Sequence, residues 1–397
     1  MDTSVHESAV QDVDVQRERV GTEAGARRSR RAGPILGWVA AGAALLATGY
    51  LLGATLSPQR SGDGPVAVDS AEAPGGSTLP EVMSVRGVEY GNSQGNVDYS
   101  AAEFLPSGRH IAIIEIDGAV STYEIATGVQ VSTIPAPVGI GRLETGHLSL
   151  GREGAFTATA SWKGQEHLFR TTTGEALFST PALEEGWIWG MDLSTDGERL
   201  ATVVQGDDPR IEIRATSGEV IANYPAPDGT QYVAVAFSPD ASLLAATRVL
   251  DHDAEPAEDG PAASEVVVWD AATGAQRQVM VTPAIKAEFD AAGERVIATD
   301  PELPEATVWD VRTGERLMTL SADSPFETAW FAPDGSAIVT GHSDGTIAMW
   351  DAESGAEQLS IPGDGLQRIA HVRISPDGRY LAAVQNNGIV HVHSLRG

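Results

Sequence analysis

The chain has 397 residues, of which 42% are hydrophobic and 6% aromatic, enough for a folded domain of ~300 residues with additional segments. It contains no cysteine, which excludes disulfides, cysteine-ligated zinc and thiol catalysis. The formal charge of −29, from 26 basic and 55 acidic residues, argues against nucleic-acid binding, because phosphates would be repelled.

Residues 34–56 form an uncharged and largely apolar stretch. A helix of this length would rise ~34 Å, at ~1.5 Å per residue, and would cross a ~30 Å hydrocarbon core. Four arginines lie within 27–31, whereas only Arg60 lies near the other end, so the positive-inside rule keeps the N-terminus in the cytoplasm. The sequence therefore predicts a single-pass cell-membrane anchor with an extracytoplasmic domain. A cleaved signal peptide is the alternative, but its apolar core is usually shorter.

The segments on both sides of this stretch have the composition of unfolded chain. Residues 1–33 contain few apolar side chains, which predicts a disordered cytoplasmic tail. Residues 57–80 contain four Pro, four Gly and four Ser, which predicts a linker with a reach of roughly 27 Å. Gly49 and Gly53 have the spacing that lets two membrane helices approach, so dimerisation of the span is left open.

From residue 81 onwards the sequence repeats every 42 to 52 residues. Seven copies contain a turn phrase such as Ser-Pro-Asp-Gly, and a second turn ending in Thr-Gly or Ser-Gly follows in most of them. Each copy is typical of four antiparallel strands, a to d, in which the first turn joins a to b and the second joins c to d. One such unit cannot bury both its faces alone, so the copies must stack or close into a ring.

This pattern resembles the WD-repeat β-propeller family, in a degenerate bacterial form, over residues 81–397. Trp269-Asp270, Trp309-Asp310 and Trp350-Asp351 are its most specific marks. The resemblance implies an all-β, seven-bladed propeller of four-stranded antiparallel blades after one transmembrane helix. Copies 1–3 lack Trp-Asp, with Ile213-Arg214 at the equivalent place in copy 3, and the family's Gly-His before strand a is missing, which predicts a weaker buried polar network. Copy 7 ends after strand c, so residues 81–88 are expected to supply its fourth strand and close the ring.

Three local motifs favour structural roles over chemistry. Gly341–Gly345 matches the G-x-S-x-G nucleophile elbow, but a strand follows where a helix is needed, which predicts a hairpin turn. His391 and His393 alternate on one strand, as two metal ligands would, without a recognisable third ligand. Loop 251–263 has acids spaced as in a calcium loop, but it lacks the required Gly and Glu, so weak divalent binding is left open. We therefore predict no cofactor, no metal and no catalytic residue.

One end of the expected propeller is predicted to bind a partner. The a–b and c–d turns at the opposite end are short and regular, whereas the b–c and d–a connections vary in length, as binding surfaces do. Their carboxylates would attract a basic protein and their aromatic residues would anchor it, although the acidity could simply keep the domain soluble. The candidate residues are Glu184, Glu185, Trp187, Asp207, Asp208, Asp251, Asp253, Glu255, Glu258, Asp259, Asp300, Glu302, Glu305 and Phe326.

These features favour a membrane-tethered, extracytoplasmic scaffold or sensor domain that binds proteins and is not an enzyme. The alternative is a propeller enzyme or ligand-binding protein that acts on a cell-envelope substrate at the central channel. Fold alone does not decide between them. Acids or histidines that converge at the channel would favour the alternative.

Overall fold

The computed structural model describes residues 79–86, 102–114, 119–135, 145–151, 155–161, 163–171, 173–250, 264–363 and 365–395. The predicted tail, the predicted membrane span at 34–56 and nearly all of the linker lie outside these ranges. Over the described ranges, no helix has the length and apolar character needed to cross a membrane.

The described residues form seven four-stranded antiparallel sheets, each of which is one blade of a propeller. This confirms the predicted all-β seven-bladed architecture. The strands are numbered in chain order, and β1 (Glu81–Arg86) is the outer strand of blade 7. Blade 1 is β2 (Ala102–Phe104), β3 (His110–Ile114), β4 (Val120–Glu124) and β5 (Val129–Ile134); blade 2 is β6 (Thr145–Leu150), β7 (Phe156–Ser161), β8 (Glu166–Arg170) and β9 (Glu175–Ser179); blade 3 is β10 (Trp187–Leu193), β11 (Arg199–Gln205), β12 (Arg210–Ala215) and β13 (Val220–Pro225); blade 4 is β14 (Gln231–Phe237), β15 (Leu243–Val249), β16 (Ser264–Asp270) and β17 (Gln276–Val281). Blade 5 is β18 (Lys286–Phe289), β19 (Arg295–Thr299), β20 (Glu305–Asp310) and β21 (Arg316–Ser321); blade 6 is β22 (Phe326–Phe331), β23 (Ala337–His342), β24 (Ile347–Asp351) and β25 (Glu357–Ile361); blade 7 is completed by β26 (Ile369–Ile374), β27 (Tyr380–Gln385) and β28 (Ile389–Ser394).

Position within a blade decides which side chains a strand needs. The second strands are covered on both faces by neighbouring blades and are therefore almost continuously buried; every residue of β23, for example, is buried. The outer strands are covered on one face only, and β17 and β21 are exposed except at one or two positions. The hydrophobic clusters consequently combine residues of two adjacent blades; Met280 of blade 4, for example, packs with Phe289 of blade 5.

The ring closes in blade 7 by pairing the two ends of the domain. Strand β1 lies antiparallel to β28, with Glu81 opposite His393 and Arg86 opposite Ile389. Met83 and Val85 of β1 join the cluster that blade 7 shares with blade 1. This confirms the predicted closure by the segment that begins at residue 81.

The expected weakening of the polar network differs from blade to blade. In blade 6 the Trp350 indole Nε1–H donates to Thr340 Oγ1 at 2.9 Å, and that hydroxyl lies 2.9 Å from His342 Nε2. His342 Nδ1 lies 3.1 Å from the Ser324 carbonyl, which can only accept, so Nδ1 carries the proton and Nε2 accepts from Thr340. Burial lowers the pKa of His342, in keeping with this neutral form. The imidazole that a Gly-His before strand a would supply comes here from the end of β23.

Blade 2 contains the same threonine without its partner. Thr159 lies opposite His167, two residues before Phe169, as Thr340 lies opposite Ala348, two residues before Trp350. Phenylalanine has no N–H, and Thr159 Oγ1 is buried with no hydrogen-bond partner among the described residues. The two threonines therefore form a natural matched pair.

We expect Thr340→Val to destabilise the protein by about 1–3 kcal/mol, because it leaves a buried indole N–H and a buried imidazole nitrogen unpaired. Thr159→Val should lie within about 0.5 kcal/mol of the wild type or be more stable, since it removes a hydroxyl that is already unpaired. Urea unfolding followed by circular dichroism measures both values. Equal losses in the two variants would contradict this account of the network.

Candidate functional site

The connection between blades 2 and 3 (residues 180–186) is held at both ends by glycines. The Leu183 N–H donates to the Lys163 carbonyl at 2.8 Å, and a Cβ on Gly164 would collide with the Leu183 side chain. At the other end Gly186 has a φ of 101°, and a Cβ there would collide with the Gln205 carbonyl oxygen. A Cβ on Gly206 would approach Gly186 Cα to 2.9 Å. The connection therefore lies directly against the b–c connections of blades 2 and 3.

This glycine contact brings two predicted acidic pairs together. Glu184 and Glu185 immediately precede Gly186, Asp207 and Asp208 immediately follow Gly206, and all four side chains are exposed. We call these four residues the acidic patch. Trp187 is half-buried at the start of β10, and its indole Nε1 is buried without a hydrogen-bond partner among the described residues.

Alternating charges continue from the acidic patch along β12. Arg210 donates through Nη1 to the Asp208 carbonyl at 2.9 Å and through Nε to Glu212 Oε1 at 2.8 Å. Arg214 Nη2 donates to Glu212 Oε2 at 2.6 Å, and Arg214 Nε lies 2.5 Å from Glu166 Oε2 in blade 2. Arg210 Nη1 also lies 3.6 Å from Asp208 Oδ2, so Arg210 is shared between Glu212 and one acid of the patch. Glu166 and Glu212 equal the two arginines in number, so the four carboxylates of the patch remain an excess of negative charge.

The strand pairing of Arg214 corrects the assignment of the Trp-Asp position in blade 3 that was made from the sequence. Arg214 lies opposite Leu200 in strand b, three residues after the turn glycine, as Trp350 lies opposite Ile338. The residue at the tryptophan position of blade 3 is therefore Arg214, and Ile213 precedes it. Burial raises the pKa of Glu166, and the Arg214 charge and the Thr202 hydroxyl oppose that rise only in part.

The remaining predicted carboxylates fall into two groups. Glu302 and Glu305 of blade 5 are exposed, but Asp300 is buried and accepts the Glu302 backbone N–H at 3.0 Å. Burial raises the pKa of Asp300. This residue acts as a turn cap, which leaves its carboxylate unsuited to attracting a partner. The acids of the blade 4 loop, Asp251, Asp253, Glu255, Glu258 and Asp259, lie outside the described residues.

The expectation that Phe326 is an exposed anchor is wrong. Its side chain is 0% exposed and belongs to the cluster between blades 5 and 6. Its ring lies 4.7 Å from the His342 ring and 6.1 Å from the Trp350 ring. Among the described residues of this end, the most exposed large apolar side chain is Leu366, at 78%, in the connection between blades 6 and 7. A lone leucine in a Pro- and Gly-rich loop gives no sequence signal.

The G-x-S-x-G segment and the pair His391 and His393 both have structural roles. Residues 343–346 form the b–c turn of blade 6, in which the Thr346 N–H donates to Asp344 Oδ1 at 2.9 Å, so the hairpin prediction is confirmed. His391 and His393 do share a face, with ring centres 6.3 Å apart. His391 Nδ1 lies 3.1 Å from Glu81 Oε1, which ties β28 to β1. In the described ranges no three His, Cys, Asp or Glu side chains are grouped as metal ligands.

Acidic and histidine side chains do converge on the innermost strands of blades 6, 7 and 1. Glu103 of β2 accepts from Arg373 Nε at 2.8 Å, and Glu327 of β22 accepts from Arg368 Nη1 at 3.2 Å. His371 of β26 is buried, and its Nε2 lies 3.9 Å from Glu103 Oε1. Both carboxylates are thus already paired with arginines of blade 7, and the cluster joins blades to one another.

Comparison with known proteins supports the WD-repeat resemblance for part of the chain. Residues 314–351, which include strand a to strand c of blade 6, match the family model described as WD domain, G-beta repeat. The chain is 31% identical over 88 residues (22% of its length, 13% of the relative) to Echinoderm microtubule-associated protein-like 2 of Mus musculus. It is 36% identical over 73 residues (18% and 23%) to the Protein LST8 homolog of Drosophila melanogaster. It is 34% identical over 103 residues (25% and 12%) to the Periodic tryptophan protein 2 homolog of Schizosaccharomyces pombe. The matched segment thus spans less than a quarter of each of these relatives.

We expect Gly186→Ala to cost about 3 kcal/mol or more, because the new Cβ meets both an unfavourable φ and a backbone oxygen. Gly229→Ala is the matched control in another d–a connection, since its φ is also positive, at 76°, but no atom lies within 4 Å of the added Cβ. That variant should lose about 1 kcal/mol. Urea unfolding of both proteins measures the difference, and similar losses would show that the glycine contact does not hold the patch.

Proposed function

We propose that this protein is a WD-repeat-like interaction scaffold whose b–c and d–a connections bind a basic protein partner. WD-repeat propellers typically serve as protein-interaction scaffolds, which supports the general role. The observation that carries the specific proposal is the acidic patch. Four exposed carboxylates lie on two connections that the contact between Gly186 and Gly206 holds together, so binding a partner requires little ordering of these loops.

Electrostatics indicates the class of partner. The acidic patch is part of a chain with a formal charge of −29, and like-charged partners would be repelled from it. A segment rich in lysine and arginine would be steered towards the patch, and Trp187 beside it offers a half-buried aromatic surface. A scaffold is favoured over an enzyme because the convergent carboxylates of the inner strands are already paired with arginines.

We further propose that residues 34–56 anchor the protein in the cell membrane and that the propeller lies outside the cytoplasm. The supporting observation is the uncharged apolar stretch with four arginines on its N-terminal side. The residues between this stretch and β1 then act as a tether that separates the propeller from the lipid surface. Bacterial origin is inferred from composition and stays a prediction.

The test of partner binding compares two variants with equal net charge. In the patch variant, Glu184 and Glu185 become Gln and Asp207 and Asp208 become Asn. In the control variant, four exposed carboxylates of the opposite end, Glu198, Glu219, Glu294 and Glu315, become Gln. Each set changes the formal charge from −29 to −25 (−29 + 4).

Full-length wild-type protein is used as bait, and captured proteins are quantified by mass spectrometry and then titrated individually. We expect the patch variant to bind a captured basic partner at least tenfold more weakly, which corresponds to about 1.4 kcal/mol, and the control variant to stay within twofold. Wild-type binding should weaken between 0.1 and 1 M salt, where the Debye length falls from ~10 to ~3 Å. Loss of binding in the control variant alone would place the interface on the other end.

The orientation of the protein in the membrane is tested by cysteine labelling. Only the introduced cysteine can react, because the chain has no cysteine of its own. A membrane-impermeant maleimide applied to intact cells should label Ser217→Cys, an exposed position of blade 3. It should label Val20→Cys only after the cells are lysed. Labelling of the residue-20 variant but not of the residue-217 variant in intact cells would reverse the proposed topology.

A further inference from the structure

A buried histidine lies where blade 7 meets both its neighbours. His371 of β26 is 3% exposed, and its Nε2 has no hydrogen-bond partner among the described residues. Its ring packs edge-to-face on Trp330 of blade 6, with centres 5.8 Å apart, and Nε2 lies 3.9 Å from Glu103 Oε1 of blade 1. One side chain of the closing blade therefore contacts the blade on either side.

The charged groups around this ring are mainly positive. Arg373, two residues along β26, stacks on Trp330 with its Cζ 3.0 Å from the ring centre and donates through Nε to Glu103 at 2.8 Å. Lys286 of β18 adds a second positive charge near the ring. Glu103, the carboxylate nearest to His371, is thus already shared with Arg373. Glu327, on the first strand (β22) of the adjacent blade 6, accepts from Arg368.

These surroundings oppose a positive charge on the imidazole. Burial, followed by the charges of Arg373 and Lys286, holds the pKa of His371 well below its usual range. In the unfolded or opened chain the group regains an ordinary pKa of ~6.5. Below that pH the opened form binds a proton at His371 that the closed form does not bind. Each further pH unit therefore shifts the equilibrium between the closed and opened forms about tenfold towards the opened form.

A second histidine of blade 7 acts in the same direction. His393 lies on β28 opposite Glu81 of β1, where the two ends of the domain pair. Its pKa is also lowered, chiefly by burial. The β1–β28 pairing is a contact between distant parts of the sequence, whereas the strands within each other blade follow one another along the chain. This pair can therefore separate without opening a hairpin between consecutive strands of a blade.

We propose that blade 7 is a proton-sensitive closure, in which acidification separates β1 from β28 and frees blade 7 from blades 6 and 1 while blades 3 to 5 stay folded. His371 is the group that senses the proton. Opening removes the ion pair of Glu103 with Arg373 and exposes the cluster that contains Val390 and Val392. The proposal does not depend on a binding partner.

Hydrogen–deuterium exchange of the full-length chain at pH 7.5 and pH 5.0, corrected for intrinsic rates, tests this proposal. In the wild type we expect exchange through opening to rise at least tenfold more in β1 and β26–β28 than in β14–β17. His371→Gln should reduce that difference at least threefold, and the remaining difference is attributed to His393. His110→Gln, which changes a half-buried histidine of β3, is the matched control and should behave as the wild type does.

Two results would overturn the proposal. One is a loss of protection at pH 5.0 that is equal in blade 7 and blade 4 of the wild type. The other is a His371→Gln protein with an undiminished local response. If His371→Gln does not fold at pH 7.5, His371→Phe keeps the ring contact with Trp330 without a titratable group, and the same threefold reduction is expected of it.

Discussion

The structure depends on the fact that no blade can bury its own apolar surface. Each four-stranded sheet is apolar on both faces of its middle strands, so stability comes from contacts between neighbouring blades. This makes the last contact, between blade 7 and blade 1, as necessary as the others, although its outer strand comes from the opposite end of the domain. It also leaves the b–c and d–a connections free to vary in length, because they contribute little to the clusters between blades.

Regular spacing made most of the architecture predictable. Residues 81–88 were predicted to supply the fourth strand of copy 7, and that strand, β1, lies at Glu81–Arg86. The burial of Phe326 was not predictable from this spacing. The pairing of β22 shifts register between Phe326 and Thr328, so a bulge interrupts the alternation of faces and residues 326–329 are all buried. The same shift occurs near the start of β6, β10, β14 and β26, and a strict alternation of faces along the first strand does not allow for it.

The acidic patch was predictable as a set of residues but not as a site. Glu184, Glu185, Asp207 and Asp208 were recognised as acids on connections of variable length. Their proximity depends on two glycines twenty positions apart that touch through their backbones, and a glycine's φ cannot be read from the sequence. Asp300 illustrates the opposite outcome, since a carboxylate on the same kind of connection is buried as a turn cap.

The Trp-Asp motif of blades 4 to 6 and the residues that replace it in blade 3 make different contacts at the end of strand c. In blade 4, Asp270 Oδ1 accepts the Thr273 N–H at 2.9 Å and so caps the c–d turn, and Asp310 and Asp351 do the same in blades 5 and 6. In blade 3 the tryptophan position holds Arg214, whose guanidinium donates to the Gly218 carbonyl at 3.2 Å and pairs with Glu166 of the preceding blade.

An apolar ring with one hydrogen bond is thus exchanged for a buried ion pair between blades. Such a pair adds little net stability compared with apolar packing, but removing one partner would be costly, because a charge would be left buried. The loss of the motif in blade 3 therefore does not imply a loose blade. It places a run of alternating charges from Glu166 to Arg210 next to the acidic patch, so a blade that lacks the Trp-Asp motif also supports the surface proposed to bind a partner.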